Sequence, residues 1–343
     1  MILAPLRLRL DGAALVANWR ALAAMSGSAG CGAAIKADGY GLGARAVAER
    51  LHAAGCRDFF ISNWREAEAL ADLRLPLAVL HGVREEDGAA ALAGIARPVL
   101  NTPEQVRRWR EAGGGRCDVM VDTGMNRLGI AAQDIADGLL DGLTIDTLMS
   151  HLACAEEESP MNRRQRDAFA ALAGRTRARR MSLANSAGIA LGADYHFDLT
   201  RPGLSLYGGI PCAALAGAIR QVVTPEAQVL QRRRLRAGDT IGYSALYTAT
   251  RDIEAAILNI GYADGYFCGF SNTGAALADG KRLPVIGRIS MDLTAVDVSA
   301  APPIAEGDWL ALDYRLPEAS AASGLSQYEL LTGLGDRFER IWC

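Results

Sequence analysis

The first 216 residues alternate between short apolar runs and longer segments in which apolar residues recur with helical spacing. The helical spacing is clearest in residues 44–54, 64–73, 103–112 and 161–175. Short apolar runs separated by such segments are typical of parallel strands joined by helices. Eight runs are present, and they are residues 31–35, 58–62, 76–80, 97–100, 118–121, 147–152, 181–185 and 203–209.

This repeat predicts an α/β fold in which residues 10–216 form a (β/α)8 TIM-like barrel. A doubly wound sheet is the alternative, but no G-x-G-x-x-G fingerprint follows a strand near the N-terminus. After residue 217 the apolar segments become shorter, richer in β-branched residues and interrupted by Gly and Asp. We therefore expect a mostly-β C-terminal domain over 217–343, joined by residues 1–9 as a strand, with a last segment that is helical and then extended.

The composition of the chain excludes several classes of protein. The chain has 343 residues, of which 50% are hydrophobic, and a net charge of −3, so neither disorder nor a basic nucleic-acid surface is expected. No run of apolar residues is long enough to predict a membrane span, and Arg7 and Arg9 interrupt the apolar N-terminus unlike a signal peptide. We expect a cytoplasmic protein without a membrane partner. The cysteines and histidines show no metal-ligand spacing, so no metal site is predicted.

Lysine is rare in this chain. Of the 36 basic residues only Lys36 and Lys281 are lysines. Arginine stays protonated, whereas lysine can lose its proton and attack a carbonyl. A lysine kept in an arginine-rich chain therefore suggests covalent chemistry.

Polar residues follow the predicted strands at the barrel end where active sites lie. One lysine, one histidine and two arginines at this end suit an anionic ligand with a carbonyl that lysine can capture. Glycines after Lys36 let the backbone approach a phosphate, and Tyr40 can donate to it. Each residue alone would more often be structural; the set predicts a site. Its members are Lys36, Asp122, Arg127, His151, Asn185 and Ser186 at or after strand ends, and Arg201, which introduces the last predicted strand.

Eight motifs occur in a fixed order along nearly the whole chain: IKADGYGLG, VDTGMNRLG, SHLACA, LANSAG, RPGLSLYG, IGYSALYT, IGYADGY and GRISMD. On these motifs the sequence resembles the alanine racemases. The resemblance implies an isomerase that interconverts L- and D-alanine with pyridoxal 5'-phosphate (PLP) and supplies D-alanine for peptidoglycan. It also implies a homodimer with shared active sites.

The resemblance implies a role for each site residue. Lys36 binds PLP covalently and is one acid/base group, while the partner subunit's Tyr243 is the other, on the opposite face of the substrate. Arg127 and the backbone amide of the partner's Met291 hold the substrate carboxylate. The remaining residues contact or orient the cofactor, and they are Tyr40, Asn185, Ser186, Gly203, Leu204 and Tyr262 on the phosphate side, Arg201 at the pyridine nitrogen, and His151 linking Arg201 to Tyr243.

Three positions depart from the family pattern. Leu42 replaces a frequent histidine, which changes little. Met120 replaces a lysine that many members carry as a carbamate to orient the substrate arginine, so Asn126, an anion or water must orient Arg127 here. Asp336 stands where some members place a phosphate-side tyrosine, so either this acid points away from the phosphate or the alignment with the family shifts at this position.

Four alternative functions differ in the residues and domains that they require. A racemase with serine or broader amino-acid specificity would keep the same mechanism. A non-catalytic PLP-binding protein would lack the second domain and Tyr243. A PLP decarboxylase would carry a cysteine motif that Cys268, followed by Gly269, matches poorly. A Schiff-base aldolase without PLP has no use for Tyr243.

Overall fold

Eight short parallel strands with helices between them form a closed barrel in the computed structural model, which describes residues 4–301 and 303–343. The eighth strand, Leu199–Thr200, pairs with Gly30–Cys31 just before the first strand of the main sheet. The N–H groups of Asp198 and Arg201 close the other side, donating to the carbonyls of Met181 and Ala184 at 3.0 and 2.8 Å. The other seven strands follow chain order: Ala33–Ala34, Phe59–Ile61, Leu77–Val79, Arg97–Leu100, Cys117–Met120, Ile145–Met149 and Arg180–Ser182.

The prediction that residues 203–209 form the eighth strand is wrong. Residues Leu204–Tyr207 form a 3-10 helix, and the strand lies earlier, at Leu199–Thr200. Leu204, Leu206 and Tyr207 are all buried. A short run that is buried on every side has no periodicity that separates strand from helix. Arg201 therefore follows the last barrel strand instead of introducing it.

The predicted helical segments are confirmed. Asn63, Thr102 and Ser159 each cap the helix that follows by accepting a backbone N–H, which satisfies a donor that the helix itself leaves free. The corresponding helices are Ala44–Ala54, Trp64–Ala69, Pro103–Glu111 and Pro160–Ala170, and the further ones are Gly12–Met25, Gly88–Leu92, Ala132–Ala136 and Ser186–Ala190.

A mostly antiparallel sheet follows the barrel along the chain. Its long strand, Val223–Leu235, pairs with Leu6–Leu10, Ile253–Leu258 and Trp309–Leu312. Buried and less buried residues alternate along the first half of that strand, as expected of a sheet with one core face. The remaining strands are Thr240–Ile241, Tyr247–Thr248, Ala275–Ala278, Lys281–Pro284, Thr294–Asp297 and Glu339–Trp342, and the helices are Leu316–Ser323 and Gln327–Thr332.

Both ends of the chain contribute to this sheet. Leu6–Leu10 pairs in parallel with Glu339–Trp342, so the last segment is helical and then extended, as predicted. The first three residues of the expected N-terminal strand lie outside the described residues. Among the described residues, no helix combines the length and apolarity that a membrane span requires.

The chain divides into two compact units. The barrel unit comprises Leu15–Leu206 and Ile210–Arg220. The β unit comprises Gln221–Cys343, Tyr207–Gly209 and the N-terminal segment that ends at Ala14. The domain limits 10–216 and 217–343 stay predictions from the sequence.

Candidate functional site

Lys36 follows the first strand of the main barrel sheet and begins a turn with unusual backbone angles. Ala37, Asp38 and Tyr40 have φ of 52°, 52° and 55°, a left-handed conformation that costs energy for residues with a Cβ. Hydrogen bonds hold the turn: the Asp38 carboxylate accepts from the Ala44 N–H at 2.8 Å, and the Glu66 carboxylate accepts from the Ala37 N–H at 3.0 Å. The turn thus fixes Lys36 at the carboxyl end of the barrel.

The surroundings of Lys36 favour its neutral amine. Burial lowers the pKa of Lys36, and the charge of Arg127 lowers it further, while Glu66 opposes this shift. A less protonated amine is a better nucleophile and a better base near neutral pH.

A small pocket suited to an anion lies beside this turn. Ser186 Oγ accepts from the N–H groups of Gly203 and Ser205 at 3.0 and 3.2 Å. A Cβ at position 203 would collide with the Tyr40 hydroxyl, so only glycine allows this approach. Ser205 Oγ is buried and has no hydrogen-bond partner among the described residues. Burial raises the pKa of Tyr40, so its hydroxyl stays a neutral donor. The chemistry of these groups suits a phosphate, and we call them the phosphate cradle.

The cradle continues into a short helix and a 3-10 turn. Asn185 caps Ser186–Ala190 by accepting from the Gly188 N–H at 2.8 Å, so its side chain holds the backbone that carries Ser186. Leu204 is buried immediately after Gly203.

Arg201 is buried in the barrel and held by two serines. Its guanidinium donates to the Ser150 carbonyl at 2.6 Å and to Ser182 Oγ. Burial lowers the pKa of Arg201 to about 10, against the charge of Asp118. The guanidinium therefore remains protonated at neutral pH.

His151 lies close enough to Arg201, Arg127 and Lys36 for their charges to change its pKa. Burial lowers the pKa of His151 to about 3, helped by the charges of Arg201, Arg127 and Lys36. Its ring is therefore neutral at physiological pH. Within residues 4–301 and 303–343, no hydrogen bond joins His151 to Arg201, so the expected link between them is electrostatic in this structure.

Arg127 lies exposed in a loop that closes on the fifth strand of the main sheet. The Ile130 N–H donates to the Met120 carbonyl at 2.8 Å, and the Asp122 N–H donates to the Ile130 carbonyl at 3.0 Å. The described part of the chain gives Arg127 no hydrogen bond or ion pair, and none comes from Asn126. Its guanidinium is left available to a ligand.

The charges at this end of the barrel are unbalanced. Lys36, Arg127 and Arg201 each influence the pKa of His151, while Glu66 is the carboxylate that acts on Lys36. Clustered cations with low-dielectric walls raise the local concentration of anions. The arrangement suits a ligand with a phosphate, a carboxylate and a carbonyl within reach of an amine.

The β unit presents its predicted site residues to solvent. Tyr243 is 69% exposed and Met291 is 53% exposed. The Met291 N–H donates to no acceptor in the part of the chain that the structure describes. Tyr262 is also exposed, and its N–H donates to the Ser290 carbonyl at 3.0 Å, which places it beside the Met291 loop. Asp336 is exposed in the same unit.

Sequence reasoning missed four residues that hold the site. Glu66 could have been noticed, because it stands three residues after the helix cap Asn63, the spacing of a capping box. Its carboxylate instead fixes the N–H groups of Ala37 and Ser62, at 3.0 and 2.7 Å. The other three gave no local signal, and they are Ser150, Ser182 and Ser205.

Comparisons with known proteins identify the family of this chain. The family model of the alanine racemase N-terminal domain matches residues 10–211, and that of the C-terminal domain matches residues 222–342. Two proteins of Agrobacterium fabrum, a biosynthetic and a catabolic alanine racemase, are each 39% identical to the chain. Each match covers 98% of this chain, with 93% of the biosynthetic and 91% of the catabolic protein.

A solved structure extends the agreement to three dimensions. The alanine racemase of Bartonella henselae, crystallised with covalently bound pyridoxal phosphate, is 33% identical and superposes with a TM-score of 0.91. The match covers 99% of this chain and 100% of that chain. With both family models matched over nearly the full length, the chain belongs to the alanine racemase family.

Proposed function

We propose that the protein interconverts L- and D-alanine with PLP, which it binds covalently through Lys36. The observation that carries the proposal is an amine of lowered pKa beside a phosphate cradle and among cations. The matched family and the cofactor of the Bartonella henselae relative support the same chemistry.

The residues present fit PLP. The phosphate would be held by the Tyr40 hydroxyl, by Ser186 and by the backbone around Gly203 and Leu204, with Tyr262 nearby. The unpartnered, buried Ser205 Oγ and the space that a Cβ at position 203 would fill support a ligand there. When bound, PLP withdraws electrons from the substrate and acidifies its Cα–H bond.

Racemisation requires one proton to leave one face of the substrate and another to arrive on the opposite face. We assign these transfers to the Lys36 Nζ and to the hydroxyl of the partner subunit's Tyr243. Lys36 is suited to accept a proton because its pKa is lowered. Tyr243 is exposed on its own subunit, so a partner has to supply its surroundings.

Arg201 limits the chemistry to racemisation. Its guanidinium, held by Ser150 and Ser182, keeps its proton. Arg201 would therefore leave the pyridine nitrogen of bound PLP unprotonated, and PLP would be a weaker electron sink. Such a site would disfavour transamination.

The substrate carboxylate is assigned to two groups that lack protein acceptors. Arg127 makes no hydrogen bond among the described residues, and neither does the Met291 N–H. We propose that Arg127 of one subunit and the N–H of the partner's Met291 bind the carboxylate together. The carboxylate itself would then orient Arg127, which replaces the carbamate that Met120 excludes.

Mixing two inactive variants tests the shared sites. In a symmetric dimer, a heterodimer of Lys36→Ala and Tyr243→Phe chains has one site with both changes and one intact site. With equal amounts of the two chains, about half of the dimers are heterodimers, so subunit exchange should restore about a quarter of the wild-type activity. Activity that stays absent after verified exchange contradicts sharing, as does an active monomer at high dilution.

Proton NMR in heavy water tests the reaction itself. L-alanine should lose its α-proton signal while D-alanine appears on chiral chromatography, and L-serine measured alongside decides whether specificity is broader. No exchange with any amino acid, despite PLP bound to Lys36, would instead identify a non-catalytic PLP-binding protein.

We also propose that the D-alanine formed enters peptidoglycan. Deleting the gene should make growth depend on added D-alanine. Growth without D-alanine that fails only on alanine as carbon source would instead assign a catabolic role.

A further inference from the structure

Arg337 joins two acidic side chains that come from separate motifs. Its Nε donates to Asp264 Oδ1 at 2.6 Å, and its Nη1 donates to Asp292 Oδ1 at 2.8 Å. Asp264 lies two residues after Tyr262 in IGYADGY, and Asp292 directly follows Met291 in GRISMD. A single guanidinium therefore bridges the loops that carry Tyr262 and Met291.

The buried end of this bridge is fully bonded. The Asp264 side chain is 1% exposed, and its second oxygen accepts from the Gly261 N–H at 3.0 Å. Removing one partner of a buried charge pair costs far more than removing an exposed pair, because the remaining charge is left without compensation. The bridge is therefore anchored at Asp264 and reaches outward to Asp292.

The two loops are also joined through their backbones. The Ala263 N–H donates to the Met291 carbonyl at 3.0 Å, and a Cβ at Gly261 would collide with the carbonyls of Ser290 and Met291. The Ser290 carbonyl, which shares a peptide group with the Met291 N–H, accepts from the Tyr262 N–H at 3.0 Å. The Met291 carbonyl and Asp292 hold the chain immediately after it. The Met291 N–H itself has no acceptor in the described part of the chain.

We propose that Arg337 is a positioning residue that fixes the free Met291 N–H for the substrate carboxylate. The proposal rests on the proposed function, in which the Met291 N–H of one subunit binds the substrate carboxylate in the active site of the other. Arg337 itself acts through Asp264 and Asp292 and does not touch the substrate.

The test compares Arg337→Met and Arg337→Lys with the matched control Arg234→Met. Arg234 forms an exposed ion pair with Asp252 at 3.0 Å in the same β unit. Hydrogen exchange of peptides covering residues 259–266 and 288–294 should become about tenfold faster in Arg337→Met, because local opening becomes easier. Barrel peptides should not change, and Arg234→Met should match wild type.

Steady-state kinetics provide the second readout. Arg337→Met should raise KM for L-alanine about tenfold while kcat stays within about threefold, as expected when substrate binding is weakened uniformly. The lysine of Arg337→Lys can still reach one carboxylate, so the KM of this variant should lie between those of wild type and Arg337→Met. If Arg337→Met does not fold, Asp292→Ala removes only the exposed contact and should raise KM in the same direction.

The outcomes separate this inference from the proposed function. Unchanged exchange in both loops overturns the bridging role, and faster exchange with an unchanged KM overturns the link to the substrate. A wild-type enzyme that does not racemise alanine overturns the proposed function instead, and the exchange data still decide whether Arg337 holds the two loops.

Discussion

The barrel unit and the β unit hold their site residues in opposite ways. In the barrel, Arg201 is buried and bonded to Ser150 and Ser182, and the pKa of Lys36 and of His151 is lowered by burial and nearby cations. In the β unit, Tyr243 and Met291 are mostly exposed. The barrel carries a preorganised set of groups, whereas the β unit presents groups whose chemical surroundings it does not supply itself.

The difference bears on where catalytic power originates. Preorganised charges in a low-dielectric pocket act without further rearrangement. An exposed tyrosine and an exposed N–H become fixed in orientation and shielded from water only when another surface covers them. The comparison thus favours a site assembled from two subunits, in which changes to the barrel groups affect chemistry most.

The largest effect should come from Lys36. Lys36→Arg retains the positive charge but removes the nucleophile, so turnover should fall below about 10⁻⁴ of wild type. Borohydride treatment with PLP should add no mass to the peptide that contains residue 36. Lys281→Arg is the matched control, because Lys281 is exposed and its Nζ donates to the Ala300 carbonyl at 2.9 Å. A Lys36→Arg enzyme that keeps turnover would contradict the assignment.

The next largest effect is expected at Tyr243, the second proposed acid/base group. Tyr243→Phe removes one acid/base group and should lower kcat by about 10²–10⁴. The L-to-D and D-to-L directions should be affected unequally at the proton-transfer step, which solvent isotope effects measure in each direction. Equal, small losses in both directions would mean that Tyr243 only packs against the site.

A change in product partition is expected at Arg201. Arg201→Glu allows the pyridine nitrogen to be protonated, so pyruvate formed per racemisation turnover should rise. Pyruvate is measured with lactate dehydrogenase, beside racemisation by chiral chromatography. A partition that equals wild type in a folded, PLP-loaded variant would show that Arg201 does not suppress transamination.

The smallest effect is on the pH dependence of stability. The pKa of His151 is about 3 in the folded protein, against about 6.5 for a free side chain, so the unfolded chain binds more protons between these values. This contribution to the free energy of unfolding is complete above pH 6.5 and is lost as pH falls toward 3. Urea unfolding at pH 7.5 and 4.5 should show a smaller difference for His151→Gln than for wild type, whereas the exposed control His81→Gln should keep the wild-type difference.

Sequence patterns predicted the barrel well where strands alternate with helices, and they failed where a run is buried on all sides. The segment at 203–209 is apolar throughout and became a 3-10 helix, so its residues gave no periodicity to interpret. Lys36 stood out because lysine is rare here, and the motifs placed the other site residues by resemblance. Glu66 left a capping pattern, but Ser150, Ser182 and Ser205 are ordinary serines in sequence.

The sequence by itself determined the fold class and the family, and it predicted Lys36 as the reactive amine. These follow from patterns local to the chain: periodicity, residue choice and motif order. Only the tertiary structure decided that Arg201 is bonded to two serines, that Ser205 Oγ is buried without a partner, and that Arg337 joins Asp264 to Asp292. Burial and the charges of distant residues set these properties, and neither can be calculated until folding has brought those residues together.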